Sequence, residues 1–106
     1  AFPTWLAPVQ VAILPVSDKF LKYANKIKET MDEHGIRVHL DDSAESLGKK
    51  IRNSEMKKIP WMLVLGEKEV AAKTVSARNY RTKKQSEMAL DKFVNTVVDE
   101  IVKRKL

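Results

Sequence analysis

Residues able to do covalent chemistry are few in this chain. It has two histidines, His34 and His39, and no cysteine. The missing thiols remove disulfides, thiolate nucleophiles and cysteine-based zinc sites together. No Gly-x-Ser-x-Gly elbow is present, and Gly35, Gly48 and Gly66 stand singly, without a phosphate-cradling loop. His39 falls in a strand pattern and His34 at a helix end, unlike geometries that make a weak metal-ligand pair. The basic residues are better placed. Lys49, Lys50, Arg52, Lys57 and Lys58 against Glu55 give +4 over residues 49–58. Arg78, Arg81, Lys83 and Lys84 give +4 over residues 78–84, with Tyr80 interleaved. Cations with an aromatic between them suit phosphate contacts plus base stacking. The same cations also suit an ordinary solvated surface, and charge alone leaves both readings standing.

The elements that position these residues belong to one domain. The chain has 106 residues, a net charge of +6 and 43% apolar residues, enough for a single core. Its longest apolar runs are Val11 to Val16, interrupted chemically by Pro15, and Trp61 to Leu65. Both fall far short of the ~20 residues needed to cross a bilayer. No signal-peptide pattern opens the chain. A soluble, cytoplasmic module that binds something anionic, without membrane or DNA as partner, is the expectation.

Val9 to Val16 reads as a first strand, nearly continuous in apolar character, as a doubly covered strand requires. Ser17 is a natural N-cap, and Phe20, Ala24, Ile27 and Met31 recur at helical spacing. Gly35 stands where a left-handed C-cap is expected. Ile36 to Leu40 alternates as a second strand. Ala44, Leu47, Gly48, Ile51 and Glu55 mark one face of a second helix, with Ser43 as its cap. Trp61 to Leu65 is a central strand, and Gly66 to Glu69 a turn. Val70 to Ala72 then reads as a short strand, Thr74 to Asn79 as another, and Tyr80 to Ser86 as polar loop. A last helix carries Leu90, Phe93, Val94, Val97, Ile101 and Val102 on one side. The order β-α-β-α-β-β-β-α predicts an α/β fold, a three-layer α/β/α sandwich with a mixed five-stranded sheet.

Two partial resemblances are weighed first. Asp41-Asp42 at a strand end is similar to the acidic pair of response-regulator receivers, but it follows the second strand and Leu65-Gly66 follows the third. Ile59-Pro60 before an apolar strand is similar to the thioredoxin-like proline, without the Cys-x-x-Cys. A third resemblance covers essentially the whole chain. Residues Phe2-Pro3-Thr4-Trp5-Leu6-Ala7-Pro8-Val9-Gln10-Val11 resemble the opening of the C-terminal anticodon-binding domain of threonyl-tRNA synthetases, a class II aminoacyl-tRNA synthetase family. So do Gly35-Ile36-Arg37-Val38, Gly48-x-Lys50-Ile51-Arg52, Lys58 through Val70, and Val75-x-Ala77-Arg78.

The resemblance implies that residues 1–8 are a junction with an upstream catalytic domain and that residues 9–106 are the anticodon-binding domain. It implies binding of the anticodon stem-loop of threonine tRNA, with Glu69 and Arg78 at the positions that read anticodon bases. Backbone-phosphate contacts are expected at Lys50, Arg52, Arg81 and Lys83. The fragment carries no catalytic, cofactor or metal residues in this reading. ATP, magnesium and zinc are implied for the parent ligase, which is expected to be a homodimer. The chain departs from the family pattern at Ser43 and Ala44, where Arg and Asn are usual, and Ala44 cannot hydrogen-bond a base. The alternative is a freestanding interaction or regulatory module, an accessory subunit without base-specific RNA recognition.

Overall fold

The computed structural model describes residues 4–80 and 82–103. Its first strand, β1 (Val11–Pro15), is buried at every position. A strand covered on both faces needs apolar side chains pointing both ways, which Val-Ala-Ile-Leu-Pro supplies. Pro15 ends it, where the missing N–H costs no ladder bond. Ser17 accepts from the Lys19 N–H and starts a single 3-10 turn, Asp18–Phe20, that runs into α1 (Leu21–Glu33). Gly35 terminates this segment at φ +74°, the left-handed conformation glycine adopts without steric cost. Then come β2 (Val38–Leu40), α2 (Leu47–Met56) and β3 (Trp61–Leu65). The chain closes with α3 (Glu67–Ala72), β4 (Thr74–Asn79), β5 (Gln85–Ala89) and α4 (Leu90–Val102).

The sheet order is β2-β1-β3-β4-β5. β1 is parallel to β2 and β3, while β3–β4 and β4–β5 are antiparallel. The mixed five-stranded α/β sheet therefore matches expectation. On one face, Val11, Ile13, Leu63, Leu65, Val75 and Ala77 pack with Ile27 and Met31 of α1 and Phe93 and Val97 of α4. Trp61 meets Phe93 edge-on at 5.4 Å. On the other face, Leu47 and Ile51 of α2 pack on Ala12, Leu14, Ile59 and Met62. Glu100 of α4 fastens the start of the described chain, since its Oε1 accepts from the Thr4 hydroxyl at 2.6 Å and from the Trp61 indole at 3.0 Å.

Four expectations are corrected. Residues 70–72 are helical, not a strand, and the Gly66–Glu69 turn is the start of that helix. The Glu69 carboxylate accepts from the Gly66 N–H at 2.7 Å, satisfying a donor at the helix start, and alanine favours helix. Lys73, at φ +56°, ends α3 and releases the chain into β4. The fifth strand instead lies at Gln85–Ala89, partly within the expected loop. As an edge strand it is largely exposed, so its sequence lacks an apolar alternation. The cap of α2 is Ser46, whose side chain accepts from the Lys49 N–H, rather than Ser43. Ala44 accordingly precedes the helix. Val102 lies off the apolar stripe of α4, 73% exposed.

Candidate nucleic-acid interface

The α2 face of the sheet has two halves. Over β1 and β3 it is apolar and covered by α2. Over β4 and β5 it carries Ser76 and Arg78 opposite Glu87 and Gln85. Gln85 Nε2 donates to Ser76 Oγ at 2.7 Å. Alternation along β4 puts Val75 and Ala77 in the core and Arg78 on this polar half, level with Met62 near the start of β3.

Arg78 is half-buried and lightly engaged. Its Nε is buried with no hydrogen-bond partner among the described residues. Its Nη2 lies 3.8 Å from Glu55 Oε2, an ion pair beyond hydrogen-bond reach. The same Glu55 oxygen accepts from Lys83 Nζ at 2.7 Å. That ammonium also sits 4.4 Å from the centre of the Tyr80 ring, a cation–π contact. The β4–β5 loop is shaped to deliver it. Asn79 accepts the Lys83 N–H on its carbonyl and the Thr82 N–H on its side chain, and Lys83 itself is left-handed at φ +59°. The Lys83 hydrogen bond holds the Glu55 carboxyl below the usual glutamate range; partial burial opposes it, and the charges of Lys83 and Arg78 reinforce it.

Glu69 sits elsewhere. It belongs to α3, which leaves the carboxyl end of β3, whereas Arg78 is near the other end of the antiparallel β4. Four residues of strand, about 13 Å, separate Arg78 from Thr74 at that strand's start. Near Thr74 the Tyr23 hydroxyl donates to the Thr74 carbonyl at 3.0 Å. Burial, then the charge of Glu69, push the Tyr23 hydroxyl's pKa up. Glu69 and Arg78 thus stand at opposite ends of β4 and do not form one cluster.

Lys50 also departs from expectation. It is 3% exposed, and its ammonium donates to the Pro15 carbonyl at 3.0 Å. The helical turn that places Ile51 against the sheet carries Lys50 inward at the end of β1, so it is not a surface phosphate contact. It walls a cavity of about 220 Å³ between Val16–Asp18 and Ser43–Glu45. Ser43 donates its N–H to Asp41 at 3.1 Å. Burial pushes the Asp41 carboxyl up, but the Ser43 hydrogen bonds, with the charges of Lys50 and His39, hold it below the usual range. Arg52 is exposed on α2. Arg81 lies outside the described residues.

Sequence reasoning overlooked Glu55 as a partner of the basic cluster. The signal was present: it is the lone acid of residues 49–58 and stands on the inward face of α2, one turn after Ile51.

The arrangement offers a cationic, aromatic-bearing patch on an open sheet, with donors for phosphate and base edges. Comparison with known proteins agrees in kind. The chain is 53% identical over 104 residues to the threonine–tRNA ligase of Halalkalibacterium halodurans, covering 97% of this chain and 16% of the ligase. It is 48% identical over 104 residues to that of Clostridioides difficile, covering 98% of this chain and again 16% of the ligase. The chain therefore spans about a sixth of the length of these curated relatives. The crystal structure of the RNA binding domain of threonyl-tRNA synthetase from Cryptosporidium parvum Iowa II superposes with a TM-score of 0.88 at 33% identity, over 92% of this chain and 25% of that one. The family model described as "Anticodon binding domain" matches residues 10–100, nearly the whole described fold, and the chain belongs to that family.

Proposed function

We propose that this domain binds the anticodon stem-loop of threonine tRNA, as the C-terminal domain of a threonine–tRNA ligase. The similarity to threonine–tRNA ligases along nearly the full chain carries the reading. The polar half of the sheet supports it. Anticodon bases in a single-stranded loop present edges that a duplex hides. The Arg78 guanidinium, only loosely paired to Glu55, can donate two parallel bonds to a base edge. Glu69 commits Oε1 to the Gly66 N–H, which leaves Oε2 to accept from a base amino or imino group. Tyr80 supplies a ring for stacking, and Lys83 and Arg52 supply cations for phosphates. Ala44 lacks the hydrogen-bonding side chain usual there, so discrimination at one base is relaxed or carried by neighbours.

In this reading the domain positions the tRNA while a catalytic part elsewhere in the ligase attaches threonine at the expense of ATP. Among the described residues no three His, Cys, Asp or Glu side chains come together, so these residues do not fit a metal site. Magnesium and zinc are assigned to parts of the parent enzyme outside this chain. No helix among the described residues is long and apolar enough to cross a membrane. A cytoplasmic ligase acting as a homodimer completes the proposal.

The test is binding of a threonine anticodon stem-loop, compared with the same stem-loop altered at the second and third anticodon bases. Preference for the threonine loop is expected. Equal affinity for the two would overturn base reading and favour an interaction module.

A further inference from the structure

The two cations that face each other across Glu55 are held differently. Lys83 is paired, 2.7 Å from the carboxylate and against the Tyr80 ring, with its side chain still half-exposed. Arg78 lies 3.8 Å from the same oxygen and has an unpaired Nε. A carboxylate and a phosphate compete for the same donors. A phosphate that comes to Lys83 therefore meets a cation whose charge Glu55 already offsets and one of whose donors it holds. A base edge that comes to the Arg78 guanidinium displaces no hydrogen bond among those described.

We propose that Glu55 is a built-in counter-anion, which competes with RNA phosphates for Lys83 and restrains sequence-independent binding at this face. The inference rests on the RNA-binding reading above. Glu55 does so from a fixed place, because it projects from α2, whose Leu47 and Ile51 are packed on the sheet. Its two partners come from β4 and the β4–β5 loop, 23 and 28 residues further along the chain. The loop conformation that brings Lys83 there includes a left-handed lysine, a backbone region that side chains disfavour. That conformation persists because neighbouring contacts, the Glu55 pair among them, over-determine the loop.

The experiment uses Glu55→Gln, which keeps the shape and removes the charge, and a short oligouridylate, which offers phosphates and no threonine anticodon. Affinity is measured by fluorescence anisotropy across a salt series. The variant is expected to bind about 3-fold to 10-fold more tightly at low salt, as removal of one unit charge beside two cations implies. Its log–log salt slope should steepen by about 0.7, the value of one added single-strand phosphate contact. The gain should shrink markedly in a Lys83→Ala background, where only the longer Arg78 contact remains. Unchanged or weaker oligouridylate binding by Glu55→Gln overturns the inference, as does a gain that Lys83→Ala leaves undiminished. Thermal melts of each variant establish that folded protein is being compared. The outcome is separable from the proposed function, because stem-loop preference of the unaltered domain is read on different RNAs.

Discussion

The two basic segments carry equal net charge and were equal candidates as RNA contacts, yet the fold treats them in opposite ways. Along α2 the cations are dispersed. Lys50 is buried against Pro15, Lys49 pairs with Glu45 at 3.4 Å, and Arg52 points to solvent. A helix advances about 100° per residue, so consecutive cations cannot share a face. At the end of β4 and in the loop that follows, strand alternation and a tight turn instead bring Arg78, Tyr80 and Lys83 around Glu55. Charge density in a sequence therefore locates a binding face only after the local geometry has sorted it.

Three substitutions sharpen this contrast. Lys50→Ala has the largest expected effect, and it falls on folding. It leaves the Pro15 carbonyl without its buried partner and opens space beneath α2, which should cost about 2–3 kcal/mol in denaturant unfolding. Among molecules that remain folded, the salt slope of RNA binding should be unaltered. A flattened slope with unchanged stability would return Lys50 to the surface role expected from its neighbours in sequence.

Arg78→Ala comes next and should act on recognition. A loss of about 1–3 kcal/mol in stem-loop affinity is expected, by analogy with bidentate base readout in DNA, and concentrated on the loop with threonine bases. Equal loss on the threonine and altered loops would make Arg78 a phosphate contact like any other.

The smallest effect concerns pH. The folded-state pKa of Glu55 is depressed, chiefly by the Lys83 hydrogen bond. Such a group stabilises the fold above its unfolded pKa, about 4.3, and that contribution is lost as pH falls through the lower folded value. The pair is partly solvent-screened, so wild type should exceed Glu55→Gln by less than ~1 kcal/mol at neutral pH. The difference should shrink below about pH 4 in melts taken across the acid range. A gap that persists in acid would point to packing rather than charge.

Much of the architecture was legible because its core strands are apolar on both faces. Val11–Pro15 and Trp61–Leu65 announce themselves by composition. Gly35 marked a helix end for the same steric reason that it adopts a positive φ. Gln85–Ala89 was not legible, because an edge strand with one solvated face needs little more than Met88 directed to the core. Val70-Ala71-Ala72 misled because three small or branched apolar residues fit either period. The decisive signal, Glu69 reaching back three residues to the Gly66 N–H, is a local helix cap that apolar periodicity does not register. Within the candidate site, residue types were readable and orientation was not. Nothing in the spacing of Lys49, Lys50 and Arg52 says which of them turns inward. The partnership of Glu55 with Lys83 joins residues 28 apart and depends on the β4–β5 loop closing on Asn79.

The two margins of the sheet have a consequence for the behaviour of the domain at high concentration. Exposed backbone at a sheet margin invites another molecule to add its own strand, the first step of many precipitates and fibrils. Here one margin, Val38–Leu40, is only three residues long. The other, Gln85–Ala89, is polar along most of its length, and Glu87 there is paired with Lys68. Brevity protects one side and charge the other, so the molecule resists stacking on its own kind while its polar sheet face stays open.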